Sequence, residues 1–410
     1  MQNLSVAKNT IYQIAARLAT SFIGFLITII IANKFGVIGF GDFTKVTSYV
    51  ALFYLFIDLG LNAIFLQYEK PNFKNLFYFR ILISIVIFLA LNLMAVFLPY
   101  NQVLNTGFSS SLRIGILIFS AGIFAQSIIL SSSAIFQKSA NYFYYMLGIV
   151  SGAVINLAFV LIFAFLNYSI YFILAGFATS SLLGSFILLK LTKQSIFPLA
   201  FDTRFAREIF IKSLPIGLML VFNLIYFRAD IFLLSLLSPT KDVGIYGLSY
   251  KFFDFLIALP LFLANAIYPF LIKARNDSLI FSGLLKKYFL IFLAASFIVA
   301  LPFWFISPLF TLIKPDFTVA IIPFRILLTS LPFFFTTSLL QWALIAKGEQ
   351  KYLMSVYFLS TIINIILNLI FIPRFSYLAC AAITVFSEGL VFVFLINKII
   401  FGRIILEKGE

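Results

Sequence analysis

Hydrophobic runs of twenty residues or more recur along the whole chain, separated only by short polar connectors. In order they cover 9–33, 43–66, 76–98, 112–136, 143–166, 169–190, 209–237, 244–271, 288–313, 320–346, 352–372 and 376–398. A helix needs about 20 apolar residues to cross roughly 30 Å of hydrocarbon, so each run predicts one membrane span. Barrel strands would be about ten residues long and strictly alternating, whereas these runs are long and continuous. Composition closes the soluble alternative: 63% of the 410 residues are apolar and 10% charged. No core of this size hides that much apolar surface from water, so lipid is the solvent. The first run, from about Thr10 to Ile31, is too long for a signal-peptide core and lacks a small-residue cleavage pattern after it. It reads as the first span.

The net charge of +15 would suggest nucleic acid in a soluble protein. Here the basic residues sit in connectors, where they set topology, so no nucleic-acid partner is expected. With the N-terminus inside, the inner segments hold nineteen Lys and Arg: Lys8, Lys70, Lys74, Arg80, Lys138, Lys190, Lys193, Arg204, Arg207, Lys212, Lys273, Arg275, Lys286, Lys287, Lys347, Lys351, Lys398, Arg403 and Lys408. The outer segments hold six: Lys34, Lys45, Arg113, Lys241, Lys314 and Arg374. This asymmetry predicts both termini in the cytoplasm.

Several chemistries drop out. There is no His, and the single cysteine, Cys380, lies in a hydrophobic run. Neither an intramolecular disulfide nor a zinc or haem site is expected, and no cofactor is called for. No Walker A sequence is present. The longest outer connector, about Pro99 to Ser111, is too short for the extracytoplasmic catalytic loop of a glycan polymerase or ligase. The chain reads as a carrier and not an enzyme.

The longest polar connector, about 191–208, separates six spans from six. At an offset of 208 residues Tyr144 and Met146 match Tyr352 and Met354, Ile155-Asn156 matches Ile363-Asn364, and Leu161-Ile162-Phe163 matches Leu369-Ile370-Phe371. An even number of spans per copy makes the copies parallel. The expected fold class is therefore all-α: a polytopic membrane protein of about twelve helices in two parallel six-helix bundles, 1–200 and 201–410, around a central cavity.

Short motifs carry a family likeness. Lys8-Asn9 opens the first span, Lys34-Phe35-Gly36-Val37-Ile38-Gly39-Phe40-Gly41-Asp42-Phe43 makes the first outer turn, and Asp58-Leu59-Gly60-Leu61 lies late in span two. The second half begins with Arg228-Ala229-Asp230-Ile231-Phe232-Leu233-Leu234, then Val243-Gly244-Ile245-Tyr246. In order and spacing this resembles the O-antigen-type polysaccharide flippases of the multidrug/oligosaccharidyl-lipid/polysaccharide exporter superfamily. The resemblance implies a carrier of undecaprenyl-diphosphate-linked oligosaccharide from inner to outer leaflet of a bacterial cytoplasmic membrane. Its implied partners are that lipid-linked substrate, membrane lipids, and the polysaccharide polymerase and chain-length machinery. A lipid II flippase would usually show two further spans. A cation-coupled exporter of drugs or metabolites on the same plan is the alternative.

Charges inside spans are costly, at least about 2.5–3.5 kcal/mol each, and so mark candidate sites. In a helical hairpin, residues equally far from the turn share a depth. Centring the second-half hairpin near Thr240 brings Arg228, Asp230, Lys251 and Asp254 to similar depth, predicting a charge-neutral cluster. Around Val37 the same rule pairs Arg17 with Asp58. Either these charges only neutralise each other or snorkel, or Arg17, Arg228, Lys251 and also Arg325 line the cavity and bind diphosphate, which suits the Arg fork. The stripe Gln13, Arg17, Thr20, Ser21, Gly24 and Thr28 falls on one helix face. Glu388, mid-span, is either a proton-coupling carboxyl or a hydrogen-bonded structural one. Arg325 is its candidate partner, or meets outer headgroups. Asn156 and Asn364 read as interhelical glue. Gly36, Gly39 and Gly41 suggest a tight turn with positive φ. Pro215, Pro260, Pro302 and Pro332 are expected to lie inside spans.

Overall fold

The computed structural model describes residues 2–69, 72–197 and 201–401, and within them the side chains of 2–8, 10, 219, 223 and 401 are not described. Lys70, Arg403 and Lys408 of the inner basic set lie outside the described residues, as does the Lys8 side chain. The chain is almost wholly helical, as its hydropathy requires. In order it forms α1 (Gln2–Asp58), α2 (Leu61–Phe65), α3 (Phe73–Val96), α4 (Ser110–Ser120), α5 (Gly122–Lys138), α6 (Tyr142–Phe165), α7 (Ile170–Leu191) and α8 (Thr203–Leu237). There follow α9 (Thr240–Ala274), α10 (Ser278–Ile306), α11 (Phe310–Ile313), α12 (Ile321–Leu328), α13 (Leu331–Ala346) and α14 (Gln350–Phe401). The two strands, Tyr100–Asn101 and Thr106–Gly107, make one small antiparallel ribbon between α3 and α4.

Nine helical stretches among the described residues are long and apolar enough to cross a membrane, and a tenth, bent by 45°, joins Thr203–Phe222 to Leu224–Leu237. The protein is a multi-pass membrane protein. Two of the nine, Ile11–Phe65 and Gln350–Ile400, are 55 and 51 residues long, about twice what a bilayer needs. Each is a hairpin. In α14 the ends meet: Tyr352 donates to the Phe394 carbonyl at 2.8 Å, and Lys398 lies 3.2 Å from Glu349. The reversal is at Ser376, with φ 48°. In α1, Tyr12 meets Phe143 edge-on at one end of α6, while Lys34 donates to Asn167 just past the other end. Asn62, beyond the second limb, bonds the Leu130 carbonyl and Ser133 on α5, back near the end where Tyr12 lies. The chain therefore turns back at Gly36, whose φ of 65° is cheap only for glycine.

Of the three turn glycines, only Gly36 has a positive φ; Gly39 and Gly41 are helical, so one residue makes the reversal. Pro215, Pro260 and Pro302 do lie inside helices. Pro332 also lies inside a span, Pro315–Ala346, in the first turn of α13, where its missing N–H costs nothing.

The chain divides into two compact units, Met1–Arg228 and Ala229–Glu410. Most of α8, residues 203–228, belongs to the N-terminal unit. Ile209 joins a cluster with Leu61, Ile64, Phe65, Leu76 and Ala134, with Phe205 and Ile216 packed against it. This apolar contact, invisible to composition, draws the start of α8 to the N-terminal unit.

In the N-terminal unit α6 and α7 touch backbone to backbone. A Cβ built on Gly184 would lie 2.6 Å from the Gly152 Cα. Lipid gives no hydrophobic drive between helices, so close approach through small residues supplies the packing. Gly184→Leu is expected to push the helices apart and cost about 1–3 kcal/mol. Thermal unfolding in detergent checks this, with Gly24→Leu, which meets nothing within 4 Å, as the neutral control.

Candidate functional site

Arg17 lies on the first limb of α1. Gln13, Arg17, Ser21 and Gly24 are all exposed, and Thr20 is half-buried. Thr28, one turn on, is buried and bonded to the Gly24 carbonyl. The polar stripe is therefore open from 13 to 24 and closed at 28. Beside it Ile11, Ile14, Leu18 and Phe22 form a separate exposed apolar stripe, about 115° around the helix by the 3.6-residue turn. One face of this limb suits lipid and the other suits water and a polar ligand.

Asp58 does not pair with Arg17. It pairs with Arg80 on α3, at 2.6 Å. The Arg80 side chain is fully enclosed, donates to Asn62 Oδ1 at 2.8 Å, and leaves its Nε without a partner among the described residues. Leu59 and Gly60 turn left-handed here, with φ 41° and 78°, ending α1 directly after Asp58. Gly217 on α8 rests on this turn, since a Cβ there would lie 2.7 Å from the Leu59 carbonyl. Asp58-Leu59-Gly60-Leu61 is thus a helix terminator locked to an ion pair. Arg80 was counted as a topology charge, yet Asp58 and Arg80 stand eleven residues either side of 69. The depth rule applied to that connector would have found the pair. Extrapolating some twenty residues across Gly36 lost it.

In the C-terminal unit Asp230 is buried on α8. Its carboxylate accepts the Tyr246 hydroxyl and the Ile231 N–H at 2.7 Å. Because α8 ends at Leu237 and α9 begins at Thr240, the turn centres near 238, not at Thr240. Residue 246, and not 251, then faces 230. Lys251 and Asp254 lie further along α9, exposed and half-buried respectively, and Arg228 is half-buried on α8. By helical rise Lys251 lies five residues, about 7.5 Å, further from the turn than Asp230 does.

Glu388 is buried on the second limb of α14 and accepts the Thr337 hydroxyl at 2.6 Å. Near it Tyr357 donates to Gln341 at 3.4 Å, and one residue away Ser387 accepts from Asn364 at 3.0 Å. Three helical limbs thus share a buried polar seam. Arg325 is not its partner. That side chain donates to Ser307 at 2.9 Å and the Trp304 carbonyl at 3.4 Å, and lies 5.3 Å over the Trp304 ring. Asn364 bridges the limbs of α14, whereas Asn156 keeps a carbonyl oxygen unpartnered among the described residues. Among those residues no Cys, Asp and Glu cluster is arranged to hold a metal ion.

The sequence profile of the family described as polysaccharide biosynthesis protein matches residues 6–275. The chain belongs to that family. A second profile, MatE, matches residues 215–370 of this polysaccharide biosynthesis protein. No curated protein matches it by sequence. Among solved structures, a lipid II flippase, MurJ, in an inward-closed conformation superposes with a TM-score of 0.78 at 17% identity, over 97% of this chain and 90% of that one. An inward-facing MATE-family multidrug resistance transporter gives 0.71 at 14% identity, over 97% and 99%. A transporter from Pyrococcus furiosus gives 0.63 at 14% identity, over 97% and 94%. These likenesses establish the fold. With the two profiles they place the chain among the flippases and exporters of the multidrug/oligosaccharidyl-lipid/polysaccharide superfamily.

Proposed function

We propose that this protein moves an undecaprenyl-diphosphate-linked oligosaccharide from the inner to the outer leaflet of a bacterial cytoplasmic membrane by alternating access, for surface polysaccharide biosynthesis. The match to the polysaccharide biosynthesis family over residues 6–275 carries this reading. Seven single spans, the two hairpins as four and bent α8 as one make twelve crossings, with both termini cytoplasmic. Arg17, exposed on the open polar stripe, offers a bidentate donor fork to the diphosphate. Arg228 and Lys251 add positive charge in the second half. Glu388 serves as the proton-coupling carboxyl, Asp58 and Asp230 fix the helices that carry the cations, and Arg325 holds the span ends at the headgroups.

The reading is tested by deleting the gene and analysing lipid-linked intermediates. Accumulation of a complete oligosaccharide on its polyprenyl carrier at the inner leaflet is the expected result; a normal pool with lost drug or metabolite efflux would replace it. Arg17→Ala at unchanged membrane level should abolish surface-glycan complementation, and Arg17→Lys should keep only part of it, because an ammonium lacks the fork. Full complementation by Arg17→Ala would remove the diphosphate role. The MatE match over 215–370 favours the second reading, a cation-coupled exporter of small molecules. A drug-efflux phenotype in the deletion strain separates the two.

A further inference from the structure

A groove of about 510 Å³ opens on the C-terminal unit, within the usual span of roughly 300–1,000 Å³ for small-ligand sites. Leu367, Phe371 and Phe375 form one wall along the first limb of α14, and Ala379, Ala382 and Phe386 the floor and far wall along the second. All its lining residues are apolar. Phe375 and Phe386 are more than half exposed, so rings stand beside a floor where two alanines leave a channel. The lining runs nine residues along each limb, from 367 to 375 and from 378 to 386, a rise of about 12 Å, close to the depth of one leaflet of a 30 Å core. Where the groove meets the Ser376 turn, two cations stand next in sequence to lining residues: Arg374 beside Phe375, and Arg325 beside Ile326. Arg374 is exposed and makes no hydrogen bond or ion pair with another described residue.

We propose that this groove is a binding site for one anionic phospholipid, with an acyl chain lying between the limbs of α14 and the headgroup phosphate on Arg374. The length decides the occupant: a channel one leaflet deep matches a phospholipid chain, whereas a polyprenyl tail is several times longer. The charge decides the headgroup, since a guanidinium at the interface favours a headgroup of net negative charge over one whose phosphate is neutralised by its own ammonium. The site is separate from the cargo reading and stands if that reading fails.

The test is fluorescence quenching of the full chain in vesicles. In a Trp304→Phe/Trp342→Phe background, which removes both native tryptophans, Phe386→Trp reports from inside the groove. Brominated-chain phosphatidylglycerol is expected to half-quench it at a mole fraction about fivefold lower than brominated phosphatidylcholine, the effect of about one interfacial cation. Arg374→Gln should equalise the two lipids while Arg374→Lys keeps the preference, and high salt should weaken it. Ala382→Phe, which fills the floor, should reduce quenching by both. Equal quenching with Arg374 in place would overturn the proposal. So would relief of quenching by a polyprenyl phosphate at low mole fraction, which would give the groove to the cargo's tail instead.

Discussion

Asp58→Ala is expected to cost about 3–5 kcal/mol and to remove most folded protein from the membrane fraction. Asp58 is the only carboxylate bonded to Arg80 among the described residues, at 2.6 Å, and Arg80 has no exposed surface through which water could replace it. Without the carboxylate the guanidinium keeps Asn62 and a weak contact to Ser131 at 3.5 Å, with Nε already unpartnered. An uncompensated buried charge is far more destabilising than an absent pair. The double change Asp58→Ala/Arg80→Leu should therefore recover much of the loss, and Asp58→Asn, which keeps an acceptor, should lose less. Detergent melting curves and expression levels across these variants decide it. If the double variant were as unstable as the single, the charge would not be the cause.

Glu388→Gln should leave the protein folded and take away its response to a proton gradient. The amide oxygen of glutamine accepts the Thr337 hydroxyl just as the carboxylate does, in nearly the same volume, so the bond at 2.6 Å survives. What glutamine lacks is a site for a transferable proton. One proton moving through 100 mV supplies about 2.3 kcal/mol, roughly fifty-fold in a transport equilibrium. Export by the variant should thus match the wild type measured with a protonophore and should not fall further when the gradient is collapsed. A variant that behaved as wild type with and without the gradient would make Glu388 a structural residue.

The glycine and proline positions show how far local chemistry reached. The turn at φ 65° falls on Gly36 because any residue with a Cβ would be strained there. Ser376 takes a similar turn against its own preference, with φ 48°, and its hydroxyl bonds Asp242 at 2.5 Å and Ser238 at 3.0 Å. A tertiary contact holds a conformation that serine alone gives no reason to expect. Lys45 tells the same story. By position it belongs to an outer connector, yet it is fully buried and donates to the Gly107 carbonyl at 2.9 Å, pinning the small ribbon after α3.

Sequence alone determined that the chain lives in lipid, where its helices run, and how its basic residues are distributed among the connectors. Those properties follow from transfer free energies summed over twenty neighbouring residues, a sum that tolerates errors at any one of them. It also carried the family likeness, through motifs of ten residues or fewer. Only the tertiary structure decided who meets whom: Asp58 with Arg80, Asp230 with Tyr246, Glu388 with Thr337, Arg325 with Ser307. A hydrogen bond works within a few tenths of an ångström. A turn centre misplaced by two residues shifts a facing pair by about four, or some 6 Å in depth. Hydropathy cannot see such an error, and a buried charge cannot tolerate it.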